Sequence, residues 1–432
     1  MPCQLATVLL LLSTLRLSVA LRFSWENTFK IVQFTDLHYG TEYLHDQLTT
    51  TVQKRILEWE RPDLVVFSGD LVSGNLYSEA GPGWFKKRWE YLSEAVLEAD
   101  TPWATTLGNH DREADLDGPA IIRLDQQTSK LSLTQQSPSE IEGVTNYWLD
   151  IHAHDSNQPA AARIWLLDSL EFGCQGRDGW GCVGPSTVRW LSAQHKLADV
   201  PALAFVHIPP PEFMAAWNSG DVRGSKSEPV NCPSGDSGLL QALKAVNVSA
   251  VFSGHDHDNN FDAMHSSGIR FAYGHKTGYG SYGPPVDWQH GARVVLLRQG
   301  QAPAQAESWI RLEDGSRIDQ GPTSSEDVQA QRQSECDGST AYCFSLEASP
   351  YKLFNIPPGD WQGDTPMSIF VMRTARSACI ELPADSLLST RLADLVSRRA
   401  LTETFTGLSY GYGSYGYGSY GYGQYGYRSH SG

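Results

Sequence analysis

Residues 29–34, Phe29-Lys30-Ile31-Val32-Gln33-Phe34, run directly into Thr35-Asp36-Leu37-His38, and this junction governs how the rest of the chain is read. The β-branched and aromatic residues predict a strand, and the strand ends on polar ones. Residues 46–59 then place Leu48, Val52, Ile56 and Trp59 on one helical face. Asp63-Leu64-Val65-Val66-Phe67 is nearly all apolar, as a strand covered on both faces should be. Residues 84–98 predict a second helix and residues 103–107 a third strand. The succession β-α-β-α-β requires right-handed crossovers and parallel strands, hence an α/β fold. Further strands are expected at 146–151, 163–168, 202–207, 248–252, 269–273 and 292–298. Crossover helices thin out after Tyr147, so antiparallel pairing is expected in the later half.

The chain has 432 residues, enough for one large α/β domain or two ordinary ones. Hydrophobic residues at 41% and charged residues at 19% exclude wholesale disorder. With 33 Lys+Arg against 49 Asp+Glu, the formal charge is −16, which argues against a nucleic-acid binder because no cationic excess replaces phosphate counterions. Any anion handled here must be attracted by a local feature.

Leu5 to Leu12 is almost uninterruptedly apolar, and Ser18-Val19-Ala20 ends on small residues, so residues 1–20 read as a signal peptide. Arg16 cuts the run too short to span a bilayer, and stable membrane insertion is not expected. The expected location is secreted, or the endomembrane or vacuolar lumen. Cys3 would leave with the signal; Cys174, Cys182, Cys232, Cys336, Cys343 and Cys379 would remain, with local bridges expected at Cys174/Cys182 and Cys336/Cys343. Asn247-Val248-Ser249 is an N-glycosylation acceptor. A domain is expected over 21–315. Residues 313–335 are polar and read as a linker, and the rest of 316–405 as a small region in which 388–401 is a candidate helix. Residues 406–432 repeat Ser-Tyr-Gly-Tyr-Gly with almost no aliphatics, a low-complexity tail for which disorder is the default and cell-wall attachment or self-association the functional alternative.

Five segments fall at the C-terminal ends of predicted strands: Asp36-Leu37-His38, Gly69-Asp70, Gly108-Asn109-His110-Asp111, Val206-His207-Ile208 and Gly254-His255-Asp256-His257. Open α/β sheets bind ligands in the crevice outside those ends, so the five should converge. Together they offer carboxylate, imidazole and amide ligands for two metal ions, and the mixture suits Zn, Mn or Fe. Asp70 is the natural bridging carboxylate, and the glycines beside Asp70, Asn109 and His255 let the backbone turn the ligands inward. A metal pair at this spacing activates a bridging hydroxide and clamps the oxygens of an in-line displacement at phosphorus.

This set resembles the calcineurin-like metallophosphoesterase superfamily. The flanking Ala204-Phe205-Val206-His207-Ile208-Pro209-Pro210-Pro211, Phe252-Ser253-Gly254-His255-Asp256-His257-Asp258-Asn259, Tyr273-Gly274-His275-Lys276-Thr277-Gly278-Tyr279-Gly280 and Trp309-Ile310-Arg311-Leu312-Glu313-Asp314-Gly315 resemble the short plant and fungal subgroup related to purple acid phosphatases. The resemblance implies a four-layer α/β/β/α sandwich with two mixed sheets and the site along one edge. It implies that Asp36, His38, Asp70 and His257 hold one metal, and that Asp70, Asn109, His207 and His255 hold the other. It implies that His110 stays off the metals, contacts the phosphate with Asn109 and protonates the leaving oxygen, oriented by Asp111 or a nearby carboxylate. Purple members carry a tyrosinate on iron three residues after the bridging Asp; that position is Ser73 here, which implies a colourless protein without obligatory ferric iron.

His275, Lys276 and Tyr279 are candidates for the phosphate pocket, with structural roles in a Gly-rich loop as the alternative. Gly235-Asp236-Ser237-Gly238 is similar to a serine-protease nucleophile segment, but Ser237 is expected to be a helix N-cap. His152 and His154 read as a solvated pair. The expected function is dinuclear-metal-dependent hydrolysis of small phosphate esters by an acid phosphatase-like phosphomonoesterase. The alternatives are a phosphodiesterase on the same site, or a non-catalytic module attached through its tail.

Overall fold

The computed structural model describes residues 19–336 apart from 80, 156–158 and 286–287, together with the strand segments Tyr342–Leu346, Phe354–Ile356, Met367–Ile369, Met372–Thr374, Ser377–Ile380 and Leu408–Ser409. Most of the signal peptide, the candidate helix at 388–401 and the Tyr/Gly repeats lie outside the described residues.

The elements are β1 (Leu21–Arg22), β2 (Thr28–Phe34), α1 (Tyr43–Glu60), β3 (Leu64–Ser68), α2 (Trp84–Glu98), β4 (Trp103–Thr106), α3 (Gly118–Thr128), β5 (Tyr147–His152), β6 (Ala162–Leu167), β7 (Phe172–Cys174), β8 (Arg177–Trp180), α4 (Pro185–Ala193), β9 (Ala202–Val206), α5 (Glu212–Ser219), β10 (Val222–Arg223), α6 (Leu239–Ala245), β11 (Val248–Ser253), β12 (Asp262–Met264), β13 (Arg270–Tyr273), β14 (Gly291–Arg298), β15 (Glu307–Leu312), β16 (Arg317–Ile318) and α7 (Ser325–Ala330). One sheet runs β16-β15-β14-β2-β3-β4 and the other β1-β5-β6-β9-β11-β13-β12-β10. The opening β-α-β-α-β is as expected, with β2, β3 and β4 parallel.

Side-chain alternation on these strands builds the layers. On the outer face of the first sheet Val32, Phe34 and Phe67 pack with Val52 and Ile56 of α1 and Trp89 and Leu92 of α2. On its inner face Ile31, Leu64 and Val66 meet Ile164, Leu166, Phe205 and Phe252 of the second sheet. The outer face of the second sheet packs Trp165, Leu167, Ala204 and Val206 against Phe213, Trp217, Leu239 and Leu243 of its helices. The result is helix, sheet, sheet, helix, and both sheets are mixed. Gln33 crosses between the sheets, its Nε2 donating to Ser68 Oγ at 2.9 Å and to Ser253 O at 3.1 Å, which ties the ends of β2, β3 and β11 together.

The later half holds the expected antiparallel pairing, of β14 with β2 and β15 and of β12 with β10 and β13, beside a parallel run β6-β9-β11-β13. Three expectations need correction. The α1 stripe is shifted, with Trp59 40% exposed and Leu48 half-buried. Polar anchors share its buried face: Gln53 Nε2 donates to Tyr39 Oη, and Glu60 accepts from Trp309 Nε1 and Arg311 Nε.

The stretch 313–335 is docked rather than free. β16 adds to β15, α7 is capped by Ser324 Oγ and puts Val328 into the second core, and Gln333 exchanges hydrogen bonds with the Val230 backbone. Finally, Cys174 pairs with Cys182 as expected, but Cys336 pairs with Cys232, and the register of the later strands sets Cys343 opposite Cys379.

Candidate metal centre

Five strand ends meet at one crevice: β2 delivers Asp36 and His38, β3 Asp70, β4 Asn109 and His110, β9 His207, and β11 His255 and His257. Asp36, His38, Asp70 and His255 all have positive φ (54°, 50°, 49° and 77°), a region that non-glycine residues avoid unless the surroundings enforce it. These left-handed turns aim the side chains back across the strand ends. Two glycines make room for them. A Cβ on Gly254 would lie 2.0 Å from Thr35 Oγ1 and 2.6 Å from Asp36 Oδ2, and one on Gly69 would lie 2.5 Å from the His207 ring.

Asp36, His38, Asp70 and His257 place one ligand atom each within 4.8 Å of one another, as do Asp70, His207 and His255; all are buried. Asp70 belongs to both groups. Its Oδ2 lies 3.2 Å from His207 Nε2 and 3.5 Å from His38 Nε2, and Asp36 Oδ1 lies 3.3 Å from His257 Nε2. Asn109 Oδ1 joins the second group, 3.1 Å from His207 Nε2.

The polarity of these atoms tests whether a cation fits. His257 Nδ1 contacts Tyr282 O at 2.7 Å, and His207 Nδ1 contacts Ser68 O at 2.9 Å. A carbonyl can only accept, so each Nδ1 carries a hydrogen and each neutral ring points its Nε2 lone pair into the cluster. His38 and His257 bring their Nε2 atoms 3.2 Å apart, and Asn109 keeps its Nδ2 buried without a partner among the described residues while its oxygen faces His207. Carboxylate, imidazole and amide oxygen donors gathered at this spacing fit two borderline divalent or trivalent ions.

The protonation pattern agrees. Burial lowers the His207 imidazole, but the Asp70 and Asp36 carboxylates reverse that and raise it to about 10, a proton serving where a metal would. Burial would raise Asp36 and Asp70, but the neighbouring imidazoles hold both carboxyls well below the usual range. Burial pushes His255 down to about 3 and, with the Lys276 charge, pushes His38 well below the ordinary value.

His110 stands beside the ligands at the open side, its side chain 21% exposed and its Nδ1 2.6 Å from Glu113 Oε2. Its backbone N–H donates to Asp70 Oδ1 at 2.9 Å. Burial lowers this imidazole, yet Asp70 and Glu113 outweigh it and raise the pKa to about 9. Asp111 does not orient it. That carboxylate accepts from the backbone N–H groups of Leu71, Val72 and Gly108, clamping the Asp70 turn to the Asn109 turn.

The phosphate-pocket candidates are engaged elsewhere. Lys276 Nζ donates to Asp36 O at 3.1 Å and Gly280 O at 2.8 Å, burial lowering the ammonium to about 8. His275 Nε2 contacts Gln289 O, and Tyr279 donates to Glu313 Oε2 and stacks on His290. Ser237 is not a cap, since Gly238 occupies the N-cap of α6. His152 ends β5 and His154 lies exposed beside Asp155; neither enters the cluster.

Residues given no supporting role in the sequence hold the candidate ligands from behind. Ser73 Oγ lies 3.0 Å from His38 Nδ1, so the position that purple members give to a tyrosinate serves a histidine here. Tyr282 stacks on His257, and Trp180 meets His255 edge-on at 4.4 Å. Of these only Ser73 had a local signal, its spacing from Asp70.

Residues 29–259 match the family model described as calcineurin-like phosphoesterase. The chain belongs to that family. It is 31% identical over 350 residues to "Probable inactive purple acid phosphatase 28" of Arabidopsis thaliana, covering 70% of this chain and 85% of that one. It is 31% identical over 340 residues to "Probable inactive purple acid phosphatase 14" of the same plant, covering 68% and 83%. It is 29% identical over 267 residues to "Phosphatase DCR2" of Saccharomyces cerevisiae, covering 55% of this chain and 45% of that one. The phosphoesterase is therefore a phosphoric ester hydrolase by family, with a candidate dimetal centre, and none of its helices among the described residues is long and apolar enough to cross a membrane.

Proposed function

We propose that this phosphoesterase is a dinuclear-metal-dependent phosphomonoesterase of the secretory or endomembrane lumen, with His110 as its acid. The observation that carries the reading is that Asp70 joins two buried donor sets while Glu113 holds His110 at their open side. Two ions, when bound, supply the positive field that polarises the phosphoryl group and makes water nucleophilic near neutral pH. Asp36, His38, Asp70 and His257 would hold one, and Asp70, Asn109, His207 and His255 the other.

The remaining chemistry belongs to the chain. With Nδ1 taken by Glu113, His110 Nε2 is the atom available to protonate a leaving oxygen, and its raised pKa keeps the proton on it through acid and neutral pH. The unpartnered Asn109 Nδ2 is a donor for a phosphoryl oxygen. The two disulfides among the described residues support an oxidising compartment and, with it, the signal-peptide reading. The word "inactive" in the relatives' names supports a second reading, a metal-binding module without turnover. p-Nitrophenyl phosphate and bis-p-nitrophenyl phosphate, assayed with the metal-loaded protein, separate the readings: hydrolysis mainly of the monoester supports the proposal, mainly of the diester supports a phosphodiesterase, and of neither supports the module.

A further inference from the structure

The β7–β8 hairpin has no part in the mechanism above, yet it is fastened to both sides of the site. Trp180, at its end, lies edge-on against the candidate ligand His255, with ring centres 4.4 Å apart. Phe172, at its start, stacks on Trp180 at 5.7 Å and 23°, and remains 49% exposed. Glu171, immediately before Phe172, accepts from Arg112 at 3.0 Å, and Arg112 is two residues beyond His110. The Cys174–Cys182 disulfide closes the hairpin. Trp180 Nε1 is buried without a hydrogen-bond partner among the described residues, so packing and hairpin closure alone set the tilt of the indole.

The seven candidate ligands are buried and His110 is partly open, so substrate enters on the His110 side. Phe172 is thus tied through Glu171 and Arg112 to the His110 loop and through Trp180 to His255, with one face on Trp180 and the residue 49% exposed. We propose that the Phe172–Trp180 pair is a specificity platform that selects phosphomonoesters of planar aromatic alcohols by stacking on the leaving group. The inference rests on the phosphomonoesterase reading and adds the substrate class to it. The free face of Phe172 contacts the leaving group, and Trp180 positions Phe172.

An aromatic stack contributes a factor of about 3 to 10 in affinity. Two comparisons test this on the metal-loaded full chain. The first is kcat/KM for phenyl phosphate relative to glycerol 2-phosphate. The second, independent of turnover, is calorimetric affinity for phenylphosphonate relative to methylphosphonate. Phe172→Ala should lower both aryl-to-alkyl ratios by about 3- to 10-fold, and Phe172→Tyr should restore them. Ratios unchanged in Phe172→Ala, or equal binding of the two phosphonates by the unaltered protein, would overturn the platform. Absence of turnover on either ester would overturn the hydrolase reading alone, because the phosphonate ratios would still decide the platform.

Discussion

His110 and Asn109 are adjacent, yet the site assigns them different work. Asn109 turns its oxygen to the second donor set and His110 faces the opening with Glu113 behind it. His110→Ala should cut turnover at least about a hundredfold with metal content near that of the unaltered protein, because general acid catalysis contributes about 10²–10⁴. Asn109→Ala should instead lower the metal content. Mass spectrometry of bound metal beside initial rates checks both, and equal metal loss in the two variants would remove the distinction.

Glu113 gives a pH test. Its carboxylate is one of the charges that raise the His110 imidazole to about 9. An acid must be protonated to act, so activity should fall as pH rises through that pKa. Glu113→Gln removes the negative charge, lowers the pKa and should move the alkaline limb of the kcat/KM profile down by about one unit. Bound cations lower the pKa in both forms, so the direction of the difference survives. An upward shift would contradict the arrangement.

Among the elements, those with a strong periodic signal were legible and the weakly marked ones were not. α2 spans Trp84–Glu98 as its spacing predicts, and β2, β3 and β4 fall within a residue or so of expectation because β-branched and aromatic residues dominate each. α4 buries only Thr187 and Leu191, and α6 has 7 residues, so neither offers the periodicity that would have announced a crossover and four parallel strands. α7 buries Val328 alone, which is why 313–335 reads as a linker.

The candidate ligands stood out because Asp, His and Gly recur at strand ends. The groups that orient them were not: Tyr282 lies 25 residues from His257, and a backbone carbonyl has no sequence signature. Pairing of Cys232 with Cys336 was hidden for the same reason, since the partners are 104 residues apart and loop proximity favoured Cys343. A link of that span constrains the unfolded chain strongly, and Cys232→Ser/Cys336→Ser should cost about 3–5 kcal/mol. Denaturant titration measures this, and an unchanged midpoint would show that the docked segment needs no tether.

For the molecule as a whole, 33 basic residues stand against 49 acidic ones, so its surface does not draw a phosphate ester to the crevice. Positive charge must come from the site. Lys276 is buried there, but its ammonium is spent on the Asp36 and Gly280 carbonyls. Protonated His110 adds one charge at the open side, and the proposed pair of metal ions in the two donor sets joined by Asp70 would supply the rest; the claim that they are needed is the one on which the account turns. The most direct measurement is p-nitrophenyl phosphate hydrolysis before chelation, after chelation, and after Zn, Mn or Fe is returned singly, with bound metal counted in each sample. The account predicts that activity disappears with the metal and returns with one of the ions as occupancy approaches two per chain. Hydrolysis that survives complete metal removal, or a folded chain holding two ions that turns over no ester, would contradict it.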